Sequence, residues 1–185
     1  MKITPNIITL ARIVLAVCAI VLLLDRTLTG LVLAFFVFTA AGLSDIWDGV
    51  LARRSGQITS FGKIMDPIAD KILVLGVLLT YSSLGLYSFY LLLPILIREC
   101  AVTLIRLYLV TKNVVIQAEK SGKLKVISQM VSVFFTFLYL LTRDYLHIAE
   151  TPAYILNILC LALATWFSLI SGVDFLRKNW KLVYE

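Results

Sequence analysis

Leu31-Val-Leu-Ala-Phe-Phe-Val-Phe-Thr-Ala-Ala-Gly-Leu-Ser44 runs without a charge into Asp45-Ile-Trp47-Asp48-Gly49-Val-Leu-Ala52-Arg53. The first part reads as a membrane span and the second as chemistry at its end. The uncharged stretch of 14 residues falls short of the roughly 20 that a helix needs to cross a bilayer. The span must therefore continue through the aspartates. A charge at the centre of a span costs about 2.5–3.5 kcal/mol even on the lenient insertion scale, so such carboxylates must face a polar cavity, a partner charge or a bound ion. If the helix continues, Asp45, Asp48, Gly49 and Ala52 share one face by the i, i+3, i+4, i+7 rule. Arg53, four residues beyond Gly49, lies on the same stripe. Gly49 and Ala52 keep that face narrow, so a ligand or another helix can approach the backbone closely.

The rest of the chain agrees with a bilayer setting. Of its 185 residues 61% are hydrophobic and 15% charged, with a mean hydropathy of +0.96, against about 45–50% apolar and about 25% charged in a soluble domain. This excludes an ordinary water-soluble globule, a disordered chain, collagen and a disulfide-stapled secreted scaffold. No internal repeat and no Pro- or Ser-rich linker divides the chain, which predicts one domain over residues 1–185. The apolar stretches predict six helical spans, near 7–24, 31–53, 67–84, 89–110, 124–141 and 153–174. Helices are expected because a lipid-exposed backbone must satisfy its own hydrogen bonds.

The formal charge of +6 reads as positive-inside topology and an anionic partner, not as nucleic-acid binding. Lys2, Arg12, the group Arg53, Arg54, Lys63 and Lys71, the lysines 112, 120, 123 and 125, and Arg177, Lys178 and Lys181 fall on one side; Arg26 and Arg143 fall on the other. Both termini are expected in the cytoplasm. The chain does not open on a basic region followed by an Ala-x-Ala site, so no cleaved signal peptide is expected. Cys18, Cys100 and Cys160 lie in apolar runs and are read as packing residues.

Beyond Arg53 come Gly62, Asp66 and Asp70. Asp66-Pro67 reads as a helix N-cap with proline at the first helical position, and Asp70 lies one turn inward on the same side. Four carboxylates converging near a membrane surface repel one another, so they take up protons or bind cations. Hard oxygen ligands without His or Cys select Mg²⁺, Mn²⁺ or Ca²⁺ over zinc. Four aspartates can hold two ions about 3.5–4 Å apart, the spacing of a two-metal phosphoryl-transfer site, and the ions imply a diphosphate partner. The plainer alternative is a set of interfacial salt bridges to Arg53, Arg54, Lys63 and Lys71. That alternative does not require the fixed spacing of eight specified positions over 26 residues.

The pattern D-x2-D-G-x2-A-R-x8-G-x3-D-x3-D, complete here as Asp45, Asp48, Gly49, Ala52, Arg53, Gly62, Asp66 and Asp70, resembles the signature of the CDP-alcohol phosphotransferases. The six-span hydropathy extends the resemblance over essentially the whole chain. It implies an all-α integral membrane enzyme, homodimeric, whose six transmembrane helices enclose a cytoplasm-facing polar cavity. Such an enzyme moves a phosphatidyl or similar group from a CDP-linked donor to an alcohol and releases CMP. By resemblance the four aspartates hold two divalent cations, Mg²⁺ or Mn²⁺, on the donor's diphosphate, and Asp70 also serves as the base. Gly49, Ala52, Arg53, Thr59 and Gly62 would form the donor site. Pro5-Asn6-Ile-Ile-Thr9-Leu-Ala-Arg12 is similar to the family's P-N-x-x-T-x-x-R opening, which brings Asn6 and Thr9 to the nucleotide pocket.

For the acceptor, Ile97-Arg98-Glu99 with Arg106, and Lys120-Ser-Gly-Lys123-Leu-Lys125, resemble the bacterial phosphatidylglycerophosphate synthases of that family. The resemblance implies CDP-diacylglycerol as donor, sn-glycerol 3-phosphate as acceptor and the bacterial inner membrane as location. Arg98, Arg106, Lys123 and Lys125 can neutralise a phosphate dianion. Alternatives are a Glu99–Arg106 ion pair on one helix face and interfacial snorkelling of the two lysines. A cardiolipin synthase or an inositol-phosphate enzyme of the same family would show a related basic set. From other classes, a divalent-cation carrier and a small scaffold held by ion pairs compete. His147 reads as a solvated loop residue, and Trp47 and Tyr90 as packing or interface aromatics. Gly76, Gly85 and Gly172 read as contact points or helix ends, Phe134 to Tyr139 as lipid- or dimer-facing, and Asp174 as closing the last helix.

Overall fold

A computed structural model describes residues 5–55, 60–112, 120–147 and 150–184, with side chains described for 10–44, 68–69, 71–109, 111–112, 122–147 and 151–180. Every element among these residues is helical: α1 Pro5–Leu24, α2 Leu28–Ser55, α3 Ser60–Ser83, α4 Phe89–Thr111, α5 Lys120–Leu141 and α6 Glu150–Tyr184, with a single π-helical turn at Thr142–Leu146 before α6. The helices form two compact units, Met1–Leu84 and Gly85–Glu185.

In the first unit α1 packs on both α2 and α3. The turn between α1 and α2 is built by local hydrogen bonds. Thr27 is the N-cap of α2: its Oγ1 accepts the Gly30 N–H at 2.9 Å and donates to Asp25 Oδ2 at 2.7 Å, which satisfies one of the donors a helix start leaves open. A Cβ on Gly30 would stand 2.7 Å from the Leu22 carbonyl oxygen, so only glycine lets α2 double back this closely. Farther along, a Cβ on Gly76 would meet Ile20 Cδ1 at 2.7 Å, which makes Gly76 the contact point between α3 and α1 that its sequence setting suggested.

Helix α3 begins at Ser60, so Asp66-Pro67 lies within the helix and is not its N-cap and first position. Ser60 to Met65 contains only one poor helix former, Gly62, and a proline there removes a single N–H donor. The last helix also exceeds its expected span. It runs to Tyr184, and Asp174 therefore sits inside it. Phe175 is buried beyond Asp174, the Asn179 amide donates to the Phe175 carbonyl at 2.8 Å, and the basic residues that follow complement the helix dipole.

In the second unit α6 packs on both α4 and α5. Ser88 caps α4 through the Tyr90 N–H. Pro94 inside α4 cannot donate to the Tyr90 carbonyl one turn back, and the Thr165 hydroxyl of α6 lies 3.1 Å from the neighbouring Leu91 carbonyl oxygen. The Tyr87 hydroxyl, Thr136 Oγ1 and Asn157 Oδ1 form a buried chain, 3.1 Å and 2.8 Å long in its two links. Burial raises the Tyr87 phenol above its ordinary value.

The distribution of polarity on α6 is the reverse of a soluble helix. Asn157, Ser168 and Ser171 are buried, while Leu159, Leu163, Trp166 and Ile170 face outward, Trp166 with 61% of its surface exposed. Water would not support such an outer face, whereas lipid would. Among the described residues Gly122–Leu146 and Thr151–Trp180 are long and apolar enough to cross a membrane, and Leu10–Leu24, Leu28–Ser44 and Lys71–Ser83 form shorter apolar helices. The protein is an all-α membrane protein. Of the aromatic run, Phe134 faces outward as expected, but Phe137 and Tyr139 are buried, since every third or fourth residue of α5 must turn toward α6. All three cysteines are free thiols, Cys18 and Cys100 on the outer surface and Cys160 inside.

Candidate active site

Helix α2 stays helical through Ser55. This meets the condition under which Asp45, Asp48, Gly49 and Ala52 share a face, with Arg53 at its edge. Gly62, Asp66 and Asp70 lie at four-residue intervals on α3, so each is about one turn from the next. Asn6 and Thr9 lie in the first turns of α1. The side chains of these residues fall outside the described ones, and Thr59 falls outside altogether. Among the described residues no three His, Cys, Asp or Glu side chains gather. Arg12, the last position of the N-terminal motif, is buried on α1 with 2% of its surface exposed.

The basic residues assigned to the acceptor are distributed unevenly. Lys125 Nζ of α5 lies 2.6 Å from Glu99 Oε1, and Arg98 Nη1 of α4 lies 2.9 Å from the same oxygen. The Arg98 Nη2 donates to Ser171 Oγ of α6 at 2.8 Å. All three charged side chains are at least nine-tenths buried. Lys125 is therefore drawn inward and does not snorkel, and Glu99 pairs with Arg98 and Lys125. Arg106 instead lies over the Phe175 ring, 5.5 Å from its centroid, a cation–π contact. Lys123 is exposed. The structure thus joins Arg98 and Lys125 in one cluster and puts Arg106 against an aromatic face.

Ser171 and Gly172 carry part of this cluster; the sequence marked Gly172 as a small-residue contact point and gave no signal for Ser171. A Cβ on Gly172 would stand 2.8 Å from Arg98 Cγ, so the glycine makes room for the arginine stem. Two cations and one carboxylate thus meet at one buried point.

A family description, CDP-alcohol phosphatidyltransferase, matches residues 2–171. The chain belongs to the CDP-alcohol phosphatidyltransferase family. Membership sets aside the cation-carrier and scaffold alternatives. Curated relatives include a CDP-diacylglycerol--glycerol-3-phosphate 3-phosphatidyltransferase of Bacillus subtilis, 32% identical over 96% of this chain and 95% of that protein. A probable phosphatidylglycerophosphate synthase of Mycobacterium tuberculosis is 33% identical over 94% of this chain and 79% of that protein. A Mycoplasma genitalium protein with the same name as the Bacillus one is 41% identical over 57% of this chain, a match that spans 45% of that relative's length.

Proposed function

We propose that this phosphatidyltransferase moves the phosphatidyl group of CDP-diacylglycerol to the 1-hydroxyl of sn-glycerol 3-phosphate, releasing CMP and forming phosphatidylglycerophosphate. The observation that carries this reading is the near full-length likeness to a Bacillus subtilis relative named for the reaction. The gathering of the Arg98 and Lys125 cations at one buried point supports a phosphorylated acceptor over a neutral one.

The donor set of Asp45, Asp48, Asp66 and Asp70 consists of carboxylates alone, which fits two hard divalent cations such as Mg²⁺ or Mn²⁺. When bound, the cations neutralise the diphosphate and the departing CMP oxygen. Asp70 takes the proton of the acceptor hydroxyl, whose oxygen forms a bond to the β-phosphorus as the bond to the bridging oxygen breaks. Arg53 balances donor phosphate charge, and Gly49 and Ala52 leave the donor room against α2. Asn6, Thr9, Thr59 and Gly62 complete the donor site. Arg98 and Lys125 receive the acceptor phosphate, with Arg106 and Lys123 on its approach. The reading places six spans of a single domain in the bacterial inner membrane as a homodimer, with the polar cavity and both termini cytoplasmic. The family, the basic-residue asymmetry and the apolar outer faces support it.

The test is CMP release by the purified protein with CDP-diacylglycerol, Mg²⁺ and a panel of glycerol 3-phosphate, inositol phosphate, serine and phosphatidylglycerol. Release with glycerol 3-phosphate, abolished by chelation and restored by Mg²⁺ or Mn²⁺, is expected. Turnover with phosphatidylglycerol or inositol phosphate alone would make the chain a cardiolipin or inositol-phosphate enzyme and overturn the proposal.

A further inference from the structure

We propose that Glu99 and Gly172 are positioning residues for acceptor binding: Glu99 holds the cations of two helices on one carboxylate oxygen, and Gly172 clears the space in which Arg98 lies. The inference rests on the reading that Arg98 and Lys125 receive the acceptor phosphate.

The geometry gives each residue a separate task. Arg98 Nη1 and Lys125 Nζ both reach Glu99 Oε1, at 2.9 Å and 2.6 Å, so the two cations stand within two ion-pair lengths of each other. Two like charges that close, and this far from water, repel strongly. Without the carboxylate each would turn outward to the interface along its flexible stem. Glu99 gathers both at one point. A glutamine there would keep the shape but lose the charge that attracts them.

Gly172 acts on the stem. A Cβ at this position would stand 2.8 Å from Arg98 Cγ and 3.6 Å from Nε. The nearer atom is close to the root of the side chain, so relieving the clash moves the whole guanidinium. Its present position is defined on two sides, by Glu99 at Nη1 and Ser171 at Nη2. The remaining donor, Nε, is buried without a hydrogen-bond partner. An orphan donor on a buried cation is costly by itself and points to an anionic oxygen as its occupant. Chemically, the site is an arginine edge and an ammonium held in fixed relation, suited to a phosphate monoester dianion.

The experiment is steady-state kinetics with both substrates varied, on protein whose thermal midpoint is measured in the same detergent. Glu99→Gln should raise the KM for glycerol 3-phosphate about tenfold or more and leave the KM for CDP-diacylglycerol and kcat within about twofold, the signature of lost acceptor binding alone. Glu99→Asp should recover part of the loss, because the carboxylate is kept. Gly172→Ala should raise the same KM without removing any charge, which decides the matter if the glutamine variant fails to fold. In a Lys125→Met background, Glu99→Gln should add less than it does alone, since both act through one group. Unchanged acceptor KM in the folded variants overturns the positioning roles, as does a parallel loss in donor KM and kcat. A wild-type protein that releases no CMP with glycerol 3-phosphate overturns the acceptor reading and this inference together; an active wild type with unmoved variant constants overturns only the inference.

Discussion

Thr136→Val isolates one buried polar junction without changing side-chain volume. The Thr136 hydroxyl meets Tyr87 OH at 3.1 Å, Asn157 Oδ1 at 2.8 Å and the Ser132 carbonyl at 2.8 Å. It therefore ties the turn before α4 to α5 and α6. Thr136 and Asn157 are fully buried, and Asn157 Nδ2 already lacks a partner. Valine would leave the Asn157 amide with no hydrogen bond from Thr136 at either end. In water-soluble proteins an orphaned buried group costs about 1–3 kcal/mol, while interhelical hydrogen bonds within membranes average only about 0.6 kcal/mol and reach about 1.7. The expected loss is about 1–2 kcal/mol, because the junction joins one interhelical link to one with the turn before α4, both buried. For a chain of this length that corresponds to a fall of about 2–8 °C in Tm. Thermal unfolding in mild detergent, followed by circular dichroism, measures it. Asn157→Ala in the Thr136→Val background should cost less than in the parent, since both act on one contact. A valine variant as stable as the parent would refute the claim that the junction holds the second unit together.

Asp70→Asn should bind CDP-diacylglycerol yet turn over at least about 10²-fold more slowly, the usual size of a general-base contribution; near-normal single-turnover rates would remove Asp70 from that role. Tyr87→Phe should flatten the alkaline edge of stability. Burial raises the Tyr87 phenol, so the native state keeps a proton that the unfolded chain loses. Its contribution is thus fully present below the ordinary tyrosine value near about 10 and falls away as pH rises past it; a parent and variant with the same alkaline melting curves would contradict this. Thr27→Ala should destabilise the protein by about 1 kcal/mol through loss of the α2 cap, read as a lowered Tm with kcat unchanged.

The helices were legible as apolar runs of roughly the length a bilayer requires, whereas the caps Thr27 and Ser88 emerge only in the structure. Where the reading failed, longer-range or competing terms decided. Asp66-Pro67 carries the marks of a helix start, yet α3 begins at Ser60, because a proline in a helix interior removes one donor and neighbouring turns can absorb the change. Asp174 resembles an end signal, but Phe175 still has a buried place and Asn179 closes a hydrogen bond within α6. The intervals of Asp45 to Ala52 and of Gly62 to Asp70 were readable as helix faces, because both stretches are helical. The Arg98–Glu99–Lys125 cluster was only half readable. Charge composition singled out Arg98 and Lys125, but the partner of Glu99 depends on how α5 lies against α4, which no periodicity within one helix reports. For the same reason Arg106, seven residues from Glu99 and on its face, was a reasonable ion-pair partner on one helix and is found over Phe175 of another.

That difference bears on how a membrane enzyme can keep charges inside itself. Glu99 has two cations within reach from different helices, and choosing Lys125 over Arg106 makes the pairing tertiary. An ion pair within α4 would survive separation of the helices and contribute nothing to their association. The Glu99–Lys125 pair exists only when α4 and α5 are together, so the attraction between the two side chains favours the assembled unit. The cost of burying them is offset only in that state. The Arg98–Glu99–Lys125 cluster is therefore a contact that selects the packed arrangement. Removing the carboxylate should weaken acceptor binding before it loosens the helices, because Thr136 and Asn157 still join α5 to α6 and Ser171 still holds Arg98 to α6.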